Sequence, residues 1–343
     1  MSLIGASSLD LIDKYRRENP DGTVADVIEI LSQLNPILQD GPMVECNLGT
    51  RHKTTTRSGL PSVTWGKLYQ GIAQSKSNVV SVEDTTGFVE GLSSVDERVL
   101  QLGDESKLRL SEAMSFLEAI AQEVATRIFY GNSQSSPEQF LGLAPRYNSL
   151  SAPNGNNIVD AGGTGSDNTS IWLIGWGDHA THLLYPKGTQ AGVTREDMGR
   201  QRVLDSNGNP YFVKEELFRQ HIGLSLRDWR YTVRVANIDV SDMRAGSVKV
   251  YDYLRKAYWK MQSRRSAKPG GANGNVAMPT QVMMYCNRDV LEALDRFSSN
   301  SGSADNFVRL TPMQVEGIGE VLTYRGIPIR ESDALVNTET RVV

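Results

Sequence analysis

An α+β fold is predicted for this chain of 343 residues, and three observations predict it. Helical and strand-like periodicities come in separate runs rather than in strict alternation, which argues against a doubly wound sheet. One segment, opening near Asp104 and running through Tyr130, reads as a single long amphipathic helix. The middle of the chain is a succession of short β patterns punctuated by Gly and Asn.

Each element follows from local signals. Leu9, Ile12 and Tyr15 recur at helical spacing and predict a short helix that ends before the turn cluster Asn19-Pro20-Asp21-Gly22. A second helix is predicted from Val24, Val27, Ile28, Leu31 and Leu34, with Thr23 as its cap and Pro36 as its stop or kink. A long hairpin comes next. Its strand-like runs are Thr54–Arg57, Val63–Tyr69 and Asn78–Asp84, with turns at Ser58–Pro61 and around Gly71. In the long helix, Leu110, Met114, Leu117, Ala121, Val124 and Ile128 share one stripe, and Gly131-Asn132 is a stop signal. At about 1.5 Å per residue this helix spans roughly 40 Å.

The Gly/Asn/Asp/Ser-rich stretch from Gly155 to Thr169 is loop-like. Ile171–Trp176 and Thr181–Tyr185 predict a hairpin; Arg202–Leu204 and Tyr211–Lys214 predict another around Ser206-Asn207-Gly208-Asn209. Leu224, Leu226, Trp229, Tyr231, Val233 and Val235 add a further β region. A helix over Ser247–Gln262, a flexible loop at Lys268–Asn275, a strand at Gln281–Cys286 and a helix at Arg288–Phe297 follow. The chain closes on a hairpin of Val321–Tyr324 and Ile327–Arg330 around Gly326.

Composition is that of an ordinary globular protein, with 39% hydrophobic and 22% charged residues and a net charge of −4. The start of the chain has no apolar run of the length a signal peptide or membrane span requires, so a soluble protein made in the cytoplasm is expected. Cys46 and Cys286 stand far apart with no Cys/His cluster, which indicates free thiols rather than a disulfide framework or a zinc site.

Charge is distributed unevenly. Through Glu45 the acids Asp10, Asp13, Glu18, Asp21, Asp26, Glu29, Asp40 and Glu45 outweigh Lys14, Arg16 and Arg17. From Cys46 to Val82 there is no acid at all, yet Arg51, Lys53, Arg57, Lys67 and Lys76 occur. The apolar residues of this basic stretch are sparse and broken by Gly49, Gly59, Pro61, Gly66 and Gly71, so it cannot bury enough surface against itself to offset the entropy of ordering. Opposite charge blocks fit two readings: mutual docking, within or between subunits, or two independently solvated surfaces.

Chemical motifs are weak. His179 and His182 sit in a strand–turn–strand with no ligand at a metal-like offset. Gly162-Gly163-Thr164-Gly165 feeds a strand instead of the helix N-terminus that a phosphate loop needs. Asp239 and Asp242 read as turn and cap residues rather than cation ligands. With no nucleophile elbow and no zinc-protease motif, no catalytic residue, cofactor or metal is expected, and the chain is not read as an enzyme. Trp65 and Tyr69 interleave the bases as in single-strand binders, but five bases across a turn-rich stretch of an acidic protein make a thin footprint for nucleic acid.

The wording of the chain is more specific than its periodicity. NPILQDGPMVECN, RSGLPSVTWGKLYQGI, FLEAIAQEVATRIFYGN, PEQFLGLAPRYNSLSA, DAGGTGSDNTSIWLIGWG and GLSLRDWRYTVRVANIDVSD resemble the major capsid proteins of tailed bacteriophages, in particular those of epsilon-fifteen-type podophages. The resemblance covers about Leu31 to Arg330. It implies a Hong Kong 97-like fold with an N-terminal arm (1–45), an E-loop (46–91), a peripheral domain (92–149) containing a spine helix (104–130), an axial domain with insertions (150–307), and a return to the peripheral domain with a C-terminal tail (308–343).

The resemblance further implies a structural protein of the virion capsid, assembled in the host cytoplasm as hexamers and pentamers of an icosahedral shell around double-stranded DNA. Other copies of itself would be the main partners, with a separate scaffold protein, a portal, a decoration protein and non-specifically contacted DNA beside them, and no membrane. The other reading is a ring or tube component of a virion or injection machine. Expected intersubunit residues are Arg51, Lys53, Arg57, Leu60, Trp65, Lys67, Tyr69 and Lys76 on the E-loop, and Asp10, Asp13, Glu18, Asp26 and Glu29 on the arm. Gly49, Gly59, Gly66, Gly71 and Gly91 are candidate hinges that would let one sequence fit both ring sizes.

Overall fold

The computed structural model describes residues 33–102, 104–205, 207–261, 281–299, 310–315 and 319–343. The two helices expected before Gln33, the acidic positions Asp10, Asp13, Glu18, Asp26 and Glu29, and the loop Lys268–Asn275 lie outside the described residues.

In chain order the elements are α1 (Ile37–Asp40), β1 (Met43–Glu45), β2 (Arg51–Gly59), β3 (Asn78–Asp96), α2 (Glu97–Gln101), α3 (Glu105–Tyr130), α4 (Leu143–Arg146), β4 (Ile158–Asp160), β5 (Asn168–Trp176), β6 (Thr181–Tyr185), β7 (Val193–Leu204), β8 (Pro210–Leu226), β9 (Thr232–Asp239), α5 (Val240–Ala245), α6 (Val250–Lys260), β10 (Gln281–Cys286), α7 (Arg288–Ser299), β11 (Thr311–Val315), β12 (Gly319–Tyr324) and β13 (Ile327–Glu331). The strands join in the order β11-β12-β13-β10-β5-β6-β8-β3-β2, with β1 added to β6, β7 to β8, and β9 between β4 and β5.

Two cores form on the two faces of this sheet. Along β5, Trp172, Ile174 and Trp176 point to one core, and Ile171 and Leu173 to the other. Helix α3 covers the first face through Ile120, Val124, Ile128 and Phe129. The second face is covered by α6 and α7, through Val250, Leu254, Ala257, Val290 and Leu294. With helices on both sides, β5 has no wet face, and it is buried at every position.

Helix α3 starts where the sequence places it. The Asp104 carboxylate accepts the backbone N–H groups of Ser106 (3.1 Å) and Lys107 (3.3 Å), filling the open donors of the first turn. It also stops at Gly131, although by a different device from the left-handed cap that Gly-Asn signals, since φ of Gly131 is −53°. The returning chain packs so closely that a Cβ there would lie 2.6 Å from the Arg127 carbonyl and 2.7 Å from that of Phe140.

Several expectations need correction. Leu110, Met114 and Leu117 are 56%, 60% and 40% exposed; the N-terminal half of α3 buries Leu108, Ala113 and Ile120 instead, and Phe116 stacks on Phe218. β5 and β6 are not a hairpin. They meet only at Trp176 and Thr181, in parallel register, because β6 takes β8 and β1 as partners. Residues 60–77 contain no strand, so the run Val63–Tyr69 has β-like composition without a neighbour to pair with. β11 lies beyond any predicted element and pairs with β12. The hairpins β7–β8 and β12–β13 form at the expected turns, and Asp239 caps α5 by accepting the Asp242 N–H at 3.0 Å.

Candidate assembly interface

Strand β3 holds the key position. Its first part, from Asn78 to Thr85, pairs with β2, whereas its second part, from Thr86 to Asp96, pairs with β8 in the body of the sheet. One continuous strand of 19 residues, roughly 60 Å long at about 3.3 Å per residue, therefore belongs half to an arm and half to the core. The arm is the acid-free stretch of the sequence.

Its root is clamped from several elements. Asp84, buried, accepts from the Arg146 guanidinium on α4 at 2.8 Å. The Asn47 side chain bridges both backbone groups of Lys53, donating at 2.7 Å and accepting at 2.8 Å. His52 on β2 stands edge-to-face with His182 on β6, ring centroids 5.5 Å apart. Burial, with His52 adding to it, pushes His182 down to about 4. Cys46 next to this cluster is pushed up to about 11 by burial and by the Glu45 and Asp84 carboxylates, so it stays a protonated thiol, and both cysteines are free and buried.

Beyond the root, support disappears. Leu60, Val63, Trp65, Leu68, Tyr69 and Ile72 all project into solvent, Trp65 at 98% exposure. The loop carries only sparse internal bonds, among them Ser75 Oγ donating to the Ser62 carbonyl at 2.7 Å. Tyr69 adopts a φ of +63°, a left-handed conformation that is uncommon for a bulky residue. An apolar cluster of this size on a free chain marks a surface awaiting a partner.

The expected interface residues divide into two groups. Arg51 and Lys53 lie on β2 and face Glu83 of β3, at 3.9 and 3.4 Å; these exposed pairs hold the arm's own strands together. Leu60, Trp65, Lys67, Tyr69 and Lys76 lie in the tip, where Lys67 and Lys76 make no ion pair with a described residue. Arg57 sits in β2 at the register shift before Gly59. Val63, Leu68 and Ile72 belong with the tip group and were missed; their signal was their place in a stretch that has no core.

The glycines differ in kind. Gly49, with φ +59°, turns the chain into β2, and Gly66 and Gly71 have open space around them. Gly91 is enclosed: it pairs with Phe218 in the sheet, and a Cβ there would meet the Phe116 ring at 2.8 Å. That glycine admits the close approach of α3.

His179 lies in the turn before β6, and no cluster of three or more His, Cys, Asp or Glu side chains fit to hold a metal occurs among the described residues. No described helix is long and apolar enough to cross a membrane. The tip of the arm thus offers exposed apolar area and positive charge.

Comparison with known proteins gives this arm its setting. The family model of the major capsid protein GP7 matches residues 19–343. A solved structure of bacteriophage Epsilon15 aligns at 32% identity and a TM-score of 0.75, covering 100% of this chain and 99% of that one. The capsid of the Myoviridae phage XM1 aligns at 10% identity and a TM-score of 0.41, over 62% of this chain and 95% of that chain. A search of curated proteins found no match. The family match over nearly the whole sequence, and the Epsilon15 alignment over all of it, show that this chain belongs to the major capsid protein GP7 family: it has the Hong Kong 97-like α+β fold and builds the shell of a bacteriophage capsid.

Proposed function

We propose that the chain assembles into hexamers and pentamers of an icosahedral shell around double-stranded DNA, and that the β2–β3 arm is the E-loop that joins neighbouring copies within a ring. The observation that carries this reading is the tip of the arm. Six large apolar side chains and two lysines stand free of any fold of their own, a state that is stable only when another surface covers them. The partner is a second copy, whose net charge of −4 complements the acid-free arm. Trp65 and Tyr69 are its anchors.

In the same reading residues 1–45 form the N-terminal arm, 92–149 the peripheral domain, 150–307 the axial domain and 308–343 the return. Contacts with DNA are non-specific and electrostatically weak, since the acidic protein repels phosphate on average. A separate scaffold protein, a portal and a decoration protein complete the particle in the host cytoplasm, and the chain performs no catalysis.

Replacing Leu60–Ser77 by a short turn tests the arm directly. The variant is expected to fold, with the circular dichroism of the parent, but to sediment as a monomer, with neither rings nor shells in negative-stain micrographs. Salt-resistant shells from this variant would refute the reading.

A further inference from the structure

One apolar surface of the body has no role in the arm. Helix α3 carries a single stripe at i, i+4, i+7 and i+11 spacing, formed by Leu110, Met114, Leu117 and Ala121, and it continues through Val124 and Ile128. The C-terminal half of this stripe is covered: Val124 and Ile128 are buried in one core with Ile37 of α1 and with Ala334 and Leu335 of the C-terminal tail. The N-terminal half is not, and Leu110, Met114 and Leu117 stay open. One helix face thus begins bare and ends covered.

The chain that does the covering also points to what would cover the rest. Followed backwards from Ile37, it passes Asn35 and Leu34 and reaches Gln33, whose backbone N–H donates to the Glu118 carboxylate of α3 at 2.9 Å. Leu34 is held by Asp333, which accepts its N–H at 2.8 Å. The described chain therefore ends against α3 beside Leu117, stepping from the C-terminal toward the N-terminal half of the helix. Residues 1–32 continue from that point.

The residues next in line have the pattern such a face requires. Val24, Val27, Ile28 and Leu31 recur at i, i+3, i+4 and i+7, Thr23 can cap the run, and Asp26 and Glu29 fall on the other side. As a helix, Thr23–Ser32 would be about 15 Å long, against about 10 Å between Leu110 and Leu117 on α3. Lys107, exposed at the far end of the stripe, would meet the start of the segment near Asp21.

We infer that Thr23–Ser32 lies as an amphipathic helix on Leu110, Met114 and Leu117 of its own chain, running parallel to α3. This fixes where the acidic residues upstream of Pro20 set out from the body and leaves those residues, rather than the whole N-terminal arm, free to reach another subunit. The inference does not depend on the role of the β2–β3 arm.

Cysteine pairing in the full-length chain tests it. The native thiols Cys46 and Cys286 are buried, and Met114 is exposed enough for substitution without loss of fold. With Val27→Cys and Met114→Cys together, mild oxidation is expected to give an intrachain disulfide in most molecules, at a yield independent of protein concentration. Asp26→Cys with Met114→Cys, which places the thiol on the opposite side of the segment, is expected to stay reduced. Covalent dimers that grow with concentration would show a second copy on the stripe and overturn the inference. So would two free thiols in the first variant, since the stripe would then be left to a different protein. Circular dichroism of each variant separates failure to pair from failure to fold.

Discussion

His182 shows how a residue can couple the arm to its surroundings. Its ring is buried edge-to-face against His52, and its folded pKa of about 4 lies below the unfolded 6.5. Below pH 6.5 the unfolded chain takes up a proton that the folded chain refuses, so stability falls as pH drops and levels off near pH 4, where the folded form is protonated too. The full effect is on the order of 3 kcal/mol. Urea unfolding across this range is expected to show that loss, and His182→Leu is expected to flatten it. A second residue-scale prediction concerns Glu339. It is buried against Arg234 at 2.7 Å and also accepts from the hydroxyls of Ser170 and Tyr130, tying the C-terminal tail to β5, β9 and α3. Glu339→Ala would leave Arg234 with the Ser170 hydroxyl, the Tyr147 carbonyl and the face of the Trp172 ring, but no carboxylate. A cost of about 3–5 kcal/mol is expected from an uncompensated buried charge, measured by denaturant titration.

Among elements, β3 decides most, because it is at once the inner strand of the arm and a strand of the core sheet. The strand runs without a break from the arm into the ladder with β8, where α3 packs against Gly91 through Phe116. Substituting Gly91→Ala puts a methyl group 2.8 Å from the Phe116 ring, and overpacking of this kind costs about 1–3 kcal/mol. The loss should appear in thermal unfolding of the unassembled chain. By contrast, Trp65→Ala at the tip is expected to leave that unfolding unchanged, because the ring is exposed, and to weaken assembly by about 2 kcal/mol or more per contact as an interface anchor. Light scattering against protein concentration reads the shift in the assembly threshold.

On the scale of the whole molecule, fold and assembly are one free-energy problem. The body has cores on both faces of its sheet, whereas the tip has none, so the subunit is stable in one part and unfinished in another. Stability should therefore rise with assembly: shells are expected to unfold at a higher temperature than dissociated subunits, with protease cleavage confined to Leu60–Ser77 in the latter. Equal protection of that loop in both states would contradict the role given to it.

The sequence by itself determined the helix from Asp104 to Tyr130, with its capping aspartate, the turns of the β7–β8 and β12–β13 hairpins, and the Asp239 cap. These depend on residues close together in the chain. The acid-free, core-poor arm was legible for the same reason, as was the resemblance to the capsid family through a series of phrases along the chain. What the tertiary structure decided were the pairings at long range: β6 with β8 rather than β5, and β3 split between two partners. It also decided which part of the α3 stripe is covered. Periodicity reports that one side of a helix is apolar, but whether another element reaches that side depends on contacts hundreds of residues away, such as Leu34 with Asp333. The same limit hid the task of Gly91, where an absent Cβ matters only because Phe116 arrives from a different element.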